Sequence, residues 1–282
     1  MGKFQNVLLV SDFDNTVVDT ASVLRGERFM PSPGEKTLEA LNYFIGQGGR
    51  FSVATGRALA SFSPFAHLLP MNGPAVLCNG AVLYDFDVGE YLDINCLPQQ
   101  TQQRLQPVLK AHPAVAAEAY HIANTIYAVQ ANEITRGHRH ITYVEARGCM
   151  DLTGVPGPLG KLMLEGDHRE LEEILKQLRR MPWSGEYELN FSAPEFLEIT
   201  AKGASKGGMV CRLAERLKID MSHVYCVGDE ANDLSMLAVA AQGFAPANCV
   251  EAVRQSGATI VADCSRDTLA EVIEQLDKRY EE

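Results

Sequence analysis

Four short segments carry residues whose types and spacing suit chemistry on an anion. Ser11-Asp12-Phe13-Asp14-Asn15-Thr16 follows the apolar run Val7–Val10. Asp12 and Asp14 are two positions apart, so in an extended chain they point the same way. Their repulsion needs a cation or a shared proton, unless the segment is simply a polar turn. Ala54-Thr55-Gly56-Arg57 combines a hydroxyl, a glycine N–H and a helix start, either a phosphate cradle or a plain strand-to-helix turn. Lys206 stands at the start of a helix, where its charge opposes the dipole; a surface role or a need for positive charge there explains it. In Gly228-Asp229-Glu230-Ala231-Asn232-Asp233 the three carboxylates suit a hard cation such as Mg²⁺, or a solvated turn.

The elements around these segments are legible from periodicity. Val7–Val10, Phe51–Ala54 and Ala75–Cys78 read as strands. Helices are expected at 34–47 and 57–69, the first opened by a Ser32/Glu35 capping box with Pro33 at its first position. This βαβαβ order points to an α/β fold with a doubly wound parallel, Rossmann-like sheet. Between residues 84 and 194 the pattern changes to α+β, with helices at 99–111 and 168–180 and strands at 115–120, 124–129, 161–164 and 186–191. A strand at 195–199 precedes the return of alternation: helix 205–217, strand 223–227, helix 232–240 and strand 258–261. A closing helix places Leu269, Val272, Ile273 and Leu276 on one face, with Thr268 and Glu271 as its capping box.

Taken together, the four segments resemble the motifs of the haloacid dehalogenase-like (HAD) phosphohydrolase superfamily. Asp12, Asp14 and Thr16 match its DxDxT, Thr55 its hydroxyl motif, Lys206 its basic motif, and Gly228, Asp229, Asn232 and Asp233 its GDxxND. Asn79-Gly80-Ala81, Phe196-Leu197-Glu198-Ile199 and Ala247-Asn248 resemble the Cof-like branch, which carries a type IIB cap. The resemblance implies a catalytic core at 1–83 and 195–282 and an inserted α+β cap domain at 84–194. About 43 positions separate Asp12 from Thr55 and about 151 separate Thr55 from Lys206, which leaves room for a cap only in the second interval.

The resemblance further implies a Mg²⁺-dependent phosphatase acting on a small phosphorylated metabolite, a sugar phosphate or a phosphorylated cofactor. Asp12 would be the nucleophile that forms an aspartyl-phosphate, and Asp14 the acid and base. Asp12, the Asp14 carbonyl and Asp229 would hold Mg²⁺, with Asp233 in support. Thr55, Gly56, Lys206 and Asn232 would bind phosphoryl oxygens, with Arg57 and Asn79 near the substrate. Asn15 stands where relatives commonly have glycine, a mild change because Asn tolerates a left-handed backbone. Glu230 adds a carboxylate in a variable slot. A phosphomutase and a non-catalytic phosphometabolite-binding protein are the alternatives; Asp14 argues against a dehalogenase. The basic cluster Arg136-Gly137-His138-Arg139-His140 is either a solvated loop or a contact for an anionic or sugar-like group. Lys161 and His67 are open in the same way.

Composition sets the outer limits. The 282 residues are 46% hydrophobic and 22% charged, as expected of a globular chain. A net charge of −11 disfavours nucleic acid and anionic membranes as partners. The seven cysteines are scattered without a CxxC pair, which suits a reducing compartment. No apolar run approaches the ~18 residues of a membrane span. A cytoplasmic monomer or homodimer is expected.

Overall fold

The computed structural model describes residues 2–27 and 30–280. β1 (Leu8–Ser11) leads through α1 (Thr20–Leu24) and α2 (Glu35–Gly46) to β2 (Arg50–Val53), and α3 (Leu59–Ala66) leads to β3 (Ala75–Leu77). A hairpin follows, β4 (Val82–Asp85) and β5 (Glu90–Ile94). Next come α4 (Thr101–Ala111), β6 (Ala116–His121), β7 (Thr125–Val129), α5 (Glu133–Thr142), β8 (Ala146–Cys149) and β9 (Leu159–Glu165). After α6 (His168–Arg179) the chain runs through β10 (Tyr187–Ala193) and β11 (Phe196–Ala201). It finishes with α7 (Lys206–Leu217), β12 (Val224–Val227), α8 (Leu234–Val239), β13 (Gln242–Pro246), α9 (Glu251–Arg254), β14 (Thr259–Val261) and α10 (Thr268–Arg279).

The four motif segments surround one end of a parallel five-stranded sheet of order β14-β13-β12-β1-β2. Its strand β1, paired with β12 and β2, is buried on both faces. Leu8 and Val10 join Val210, Leu213 and Met236 from α7 and α8. Leu9, between them, joins Leu41 and Phe44 of α2 and Leu269, Val272, Ile273 and Leu276 of α10 on the other side. Strand alternation thus divides one apolar run between two helical layers. The C-terminal ends of β1, β2 and β12 lie together, and ligands of such sheets bind there.

A second, mixed sheet of order β10-β11-β9-β6-β7-β8 uses alternation differently. Ala117, Ala119, Leu162, Leu164, Leu197 and Ile199 face α4 and α6 and form a dry core with Leu105, Leu109, Leu171, Ile174 and Leu178. The register pairs Glu118 with Met163, Met163 with Glu198, and Tyr120 with Lys161. The opposite face is therefore charged, carrying Glu118, Tyr120, Lys161, Met163, Glu165, Phe196 and Glu198.

Several local expectations are corrected. β3 is not a rung of the parallel sheet; one bridge, Ala54 to Val76, joins it, and its ladder belongs to an antiparallel sheet of order β3-β4-β5. β11 is hydrogen-bonded into the six-stranded sheet. The basic cluster at 136–140 is not a loop but part of α5, whose cap Asn132 forms a reciprocal box with Thr135. This helix has almost no apolar stripe, so periodicity does not reveal it.

The two Ser/Thr capping boxes also fail. Gly34, not Ser32, is the N-cap of α2, and the Thr37 N–H donates to Asp267 Oδ1 at 3.1 Å. In α10, Thr268 donates to the Ala262 carbonyl and Glu271 accepts from the Ala262 N–H, so both tie β14 to the helix. Asp267 itself takes a left-handed backbone, φ 61°. We expect Asp267→Ala to cost about 1–2 kcal/mol through the lost cap and the strained φ, with a smaller loss for Asp267→Asn. Urea denaturation midpoints check this; equal stability of Asp267→Ala and wild type would refute the remote cap.

Candidate active site

At the end of β1, Asp12 stays in register through its N–H to the Val227 carbonyl, 2.8 Å, and its side chain is buried. The chain then turns through Asn15 at φ 54°, the left-handed conformation that Asn tolerates. That turn brings Thr16 Oγ1 within 2.7 Å of Asp229 Oδ1, where it donates. Asp14 faces away toward Arg57, whose Nε and a terminal nitrogen donate to its two oxygens at 2.8 and 2.7 Å. Thr20 Oγ1 adds a third bond to Asp14 at 2.6 Å. Arg57 is itself stacked against Phe65, 4.9 Å from the ring centre.

Thr55 and Gly56 follow β2, and the Thr55 hydroxyl accepts from the Arg57 N–H at 3.1 Å. Asn79, at φ 55°, accepts from Asn232 Nδ2 at 3.1 Å. Beside it Gly80, at φ 94°, lets the backbone pass Ser205; a Cβ there would lie 2.1 Å from the Ser205 carbonyl oxygen. Ser205 caps α7 and so sets Lys206 in the first turn. The Lys206 side chain is 1% exposed and donates to Asp12 Oδ1 at 2.6 Å and Asp233 Oδ1 at 2.5 Å. Asp233 Oδ2 accepts the Asp229 and Glu230 N–H groups at 2.9 and 3.0 Å, closing the turn after β12. Gly228 permits that closure, because a Cβ there would meet the Asp233 side chain at 2.5 Å.

The site is short of positive charge. Asp12, Asp229 and Asp233 place carboxylate oxygens within 4.8 Å of one another, and Lys206 is the ammonium bonded among them. Burial drives the Asp12 carboxyl up to about 7 against the pull of Lys206, and Asp233 and Asp14 add to the rise. Asp229 is raised well above the usual range by burial and by Asp12 and Asp233. Burial alone would pull the Lys206 ammonium down, but Asp12 and Asp233 outweigh it and hold it charged. For Asp14, burial is overcome by Arg57, and its carboxyl lies below the ordinary value. Three buried, clustered hard-oxygen donors with excess negative charge fit a divalent cation.

Above the aspartates lies a cavity of about 240 Å³. Asp12, Asp14, Thr55, Arg57, Lys206 and Asn232 line one side, and Glu230 stands at its edge. The charged face of the six-stranded sheet and α5 line the other through Tyr120, His138, Lys161, Met163, Phe196 and Glu198. Lys161 bridges the two sides, donating to the Gly56 carbonyl at 2.9 Å while paired with Glu198 at 2.8 Å. Burial would lower the His138 ring, but Glu118 and Glu165 outweigh it and raise it to about 9. Every proposed core residue is thus within one constellation, except that Asn79 reaches it through Asn232. His67 lies elsewhere, in a surface pocket with Met71 and Phe86. His138, from the basic cluster, is in the cavity wall; sequence reasoning missed Thr20 and Tyr120, and the alternation of β6 was the available signal for Tyr120.

A doubly wound sheet with paired aspartates at the end of its first strand, a lysine at a helix start and a further aspartate pair defines a class of hydrolytic enzymes. The chain belongs to the haloacid dehalogenase-like hydrolase family, whose model matches residues 9–273. It is 24% identical to pyridoxal phosphate phosphatase YbhA of Escherichia coli (strain K12), over 94% of this chain and 97% of that protein. It is 26% identical to an HMP-PP phosphatase of Serratia proteamaculans (strain 568), over 86% of this chain and 88% of that one. A solved structure described as a HAD subclass IIB sugar phosphatase superposes with a TM-score of 0.80 at 20% identity, covering 96% of this chain and 99% of its own. Among the described residues no helix is long and apolar enough to cross a membrane.

The raised Asp12 carboxyl has a signed consequence. Its folded value exceeds its ordinary value of 3.8, so its contribution is present at low pH and is lost as pH rises toward about 7. In chelator, the thermal midpoint is expected to fall between about pH 5 and 6.5, below the range in which His138 titrates. Added divalent cation should restore it, and Asp12→Asn should flatten the slope. A flat wild-type profile would remove the charge-shortage account.

Proposed function

We propose that this hydrolase is a Mg²⁺-dependent phosphatase that cleaves monoesters of small phosphorylated metabolites through an aspartyl-phosphate on Asp12. The observation that carries this reading is the buried Asp12–Lys206–Asp233 bridge beside Asp229, opening on a cavity sized for a small ester. Asp12, the Asp14 carbonyl and Asp229 would hold the cation, with Asp233 supporting the turn. The cation would supply charge neutralisation between the nucleophile and the phosphoryl oxygens.

Asp12 attacks phosphorus and the ester oxygen leaves; water then releases phosphate from the acyl-phosphate. Lys206, Thr55, Gly56 and Asn232 bind the phosphoryl oxygens and orient them for in-line attack. Asp14 protonates the leaving oxygen and then accepts a proton from water. Arg57 keeps Asp14 ionised in the substrate-free chain. A bound phosphoryl group competes for the same guanidinium, and that competition frees Asp14 to carry a proton. The six-stranded sheet with its helices acts as the cap, selecting the leaving group through the face that carries Lys161 and Glu198. The named phosphatases among the relatives support this substrate class.

A phosphate-ester panel with Mg²⁺ tests the reading. Asp12→Asn is expected to lower kcat by ~10³-fold or more while far-ultraviolet circular dichroism is unchanged. Undiminished phosphate release by that variant refutes the mechanism. Conversion of a hexose 1-phosphate to its isomer without phosphate release identifies a mutase instead.

A further inference from the structure

A second cluster of ligating groups lies on the six-stranded sheet, apart from the aspartates. Glu118 of β6, Glu165 of β9 and His138 of α5 bring donor atoms within 4.8 Å of one another. His138 Nδ1 is 3.2 Å from Glu118 Oε2 and 3.0 Å from Glu165 Oε1. One ring nitrogen carries at most one proton, which can point at only one of these carboxylates.

The two carboxylates differ in how well they are satisfied. Glu118 also accepts from Tyr120 Oη at 2.8 Å and Arg139 Nε at 3.2 Å. Glu165 is fully buried; its Oε1 meets only the His138 ring, and its Oε2 accepts no hydrogen bond. A buried carboxylate in that state is costly unless a cation meets it.

The ligands are held in place before any ion arrives. Asn132 Nδ2 donates to the Glu165 and Ala114 carbonyls, each at 3.0 Å, while its Oδ1 caps α5. This pins the start of α5 to the end of β9. The Phe196 ring packs 4.7 Å from the His138 ring. Tyr120 and Arg139 orient Glu118 as outer partners of ligands commonly do.

We propose that Glu118, His138 and Glu165 form a second divalent-cation site, of the imidazole–carboxylate type that takes Mn²⁺, Co²⁺ or Zn²⁺. One imidazole and two carboxylates form a borderline donor set, unlike the all-oxygen aspartate cluster. The ion would fasten α5 to the sheet. His138 and Thr142 line the cavity, so one wall of the substrate site would depend on it.

The test uses the full-length chain with Asp229→Asn, which disables the aspartate cluster, titrated with Co²⁺ alone under reducing conditions. We expect about one bound equivalent, with d–d absorption and no thiolate charge-transfer band, and a raised thermal midpoint. His138→Gln and Glu165→Gln in that background should weaken binding at least about tenfold. No uptake by the Asp229→Asn chain, or uptake that His138→Gln leaves unchanged, overturns the site and leaves a protonated His138 as its occupant. If either added substitution unfolds the chain, ¹⁵N-histidine spectra of Asp229→Asn decide: a His138 Nδ1 resonance unmoved by diamagnetic Zn²⁺ refutes the proposal, and a shifted one supports it.

Discussion

The ammonium of Lys206 is the point on which the centre of the molecule depends. It is 1% exposed and bonded to Asp12 and Asp233, which belong to the outgoing turns of β1 and β12. Three remote segments, β1, the turn after β12 and the start of α7, are therefore held by one cation. Removing one member of such a buried pair typically costs ~3–5 kcal/mol, because the remaining charge is left without water or a partner. The same bridge leaves the site incompletely neutralised, as the raised Asp12 and Asp229 carboxyls record. The structural anchor and the affinity for a cation have one origin.

Around this anchor, two sheets solve opposite problems with the same period of two. The five-stranded sheet is apolar on both faces and gains its stability from two helical layers. The six-stranded sheet is apolar toward α4 and α6 only. Its other face buries Glu118, Lys161, Glu165 and Glu198, an arrangement tolerable where charges meet. Lys161 offsets Glu198, and Arg139 and His138 offset Glu118. This costs stability relative to a dry interface and provides a polar wall opposite the aspartates.

The parts of the site that sit on strand ends were legible from local chemistry. Asp12, Asp14, Thr55, Asp229 and Asp233 each follow an apolar run, and parallel sheets gather such ends. Asn15 was legible too, because its left-handed backbone is a property of a single residue. The helix caps were not. Ser32 and Thr268 satisfy a local pattern, yet the cap of α2 comes from Asp267, 230 positions away. Helix α5 escaped because it is held by ion pairs and a capping box rather than by an apolar stripe. β3 escaped because a three-residue apolar run reads alike in a parallel or an antiparallel ladder.

The sequence by itself determined the order and type of most elements, the α/β class and the candidate reacting residues. These depend on periodicity and on neighbours a few positions apart. Only the tertiary structure decided which faces meet. Alternation places Glu118, Lys161 and Glu198 on one side of a sheet, but not what that side covers. Lys161 meets Gly56 across 105 positions, and Lys206 meets Asp12 across 194. Such pairings follow from packing two layers against each other, and their energies exist only once water has been excluded between them.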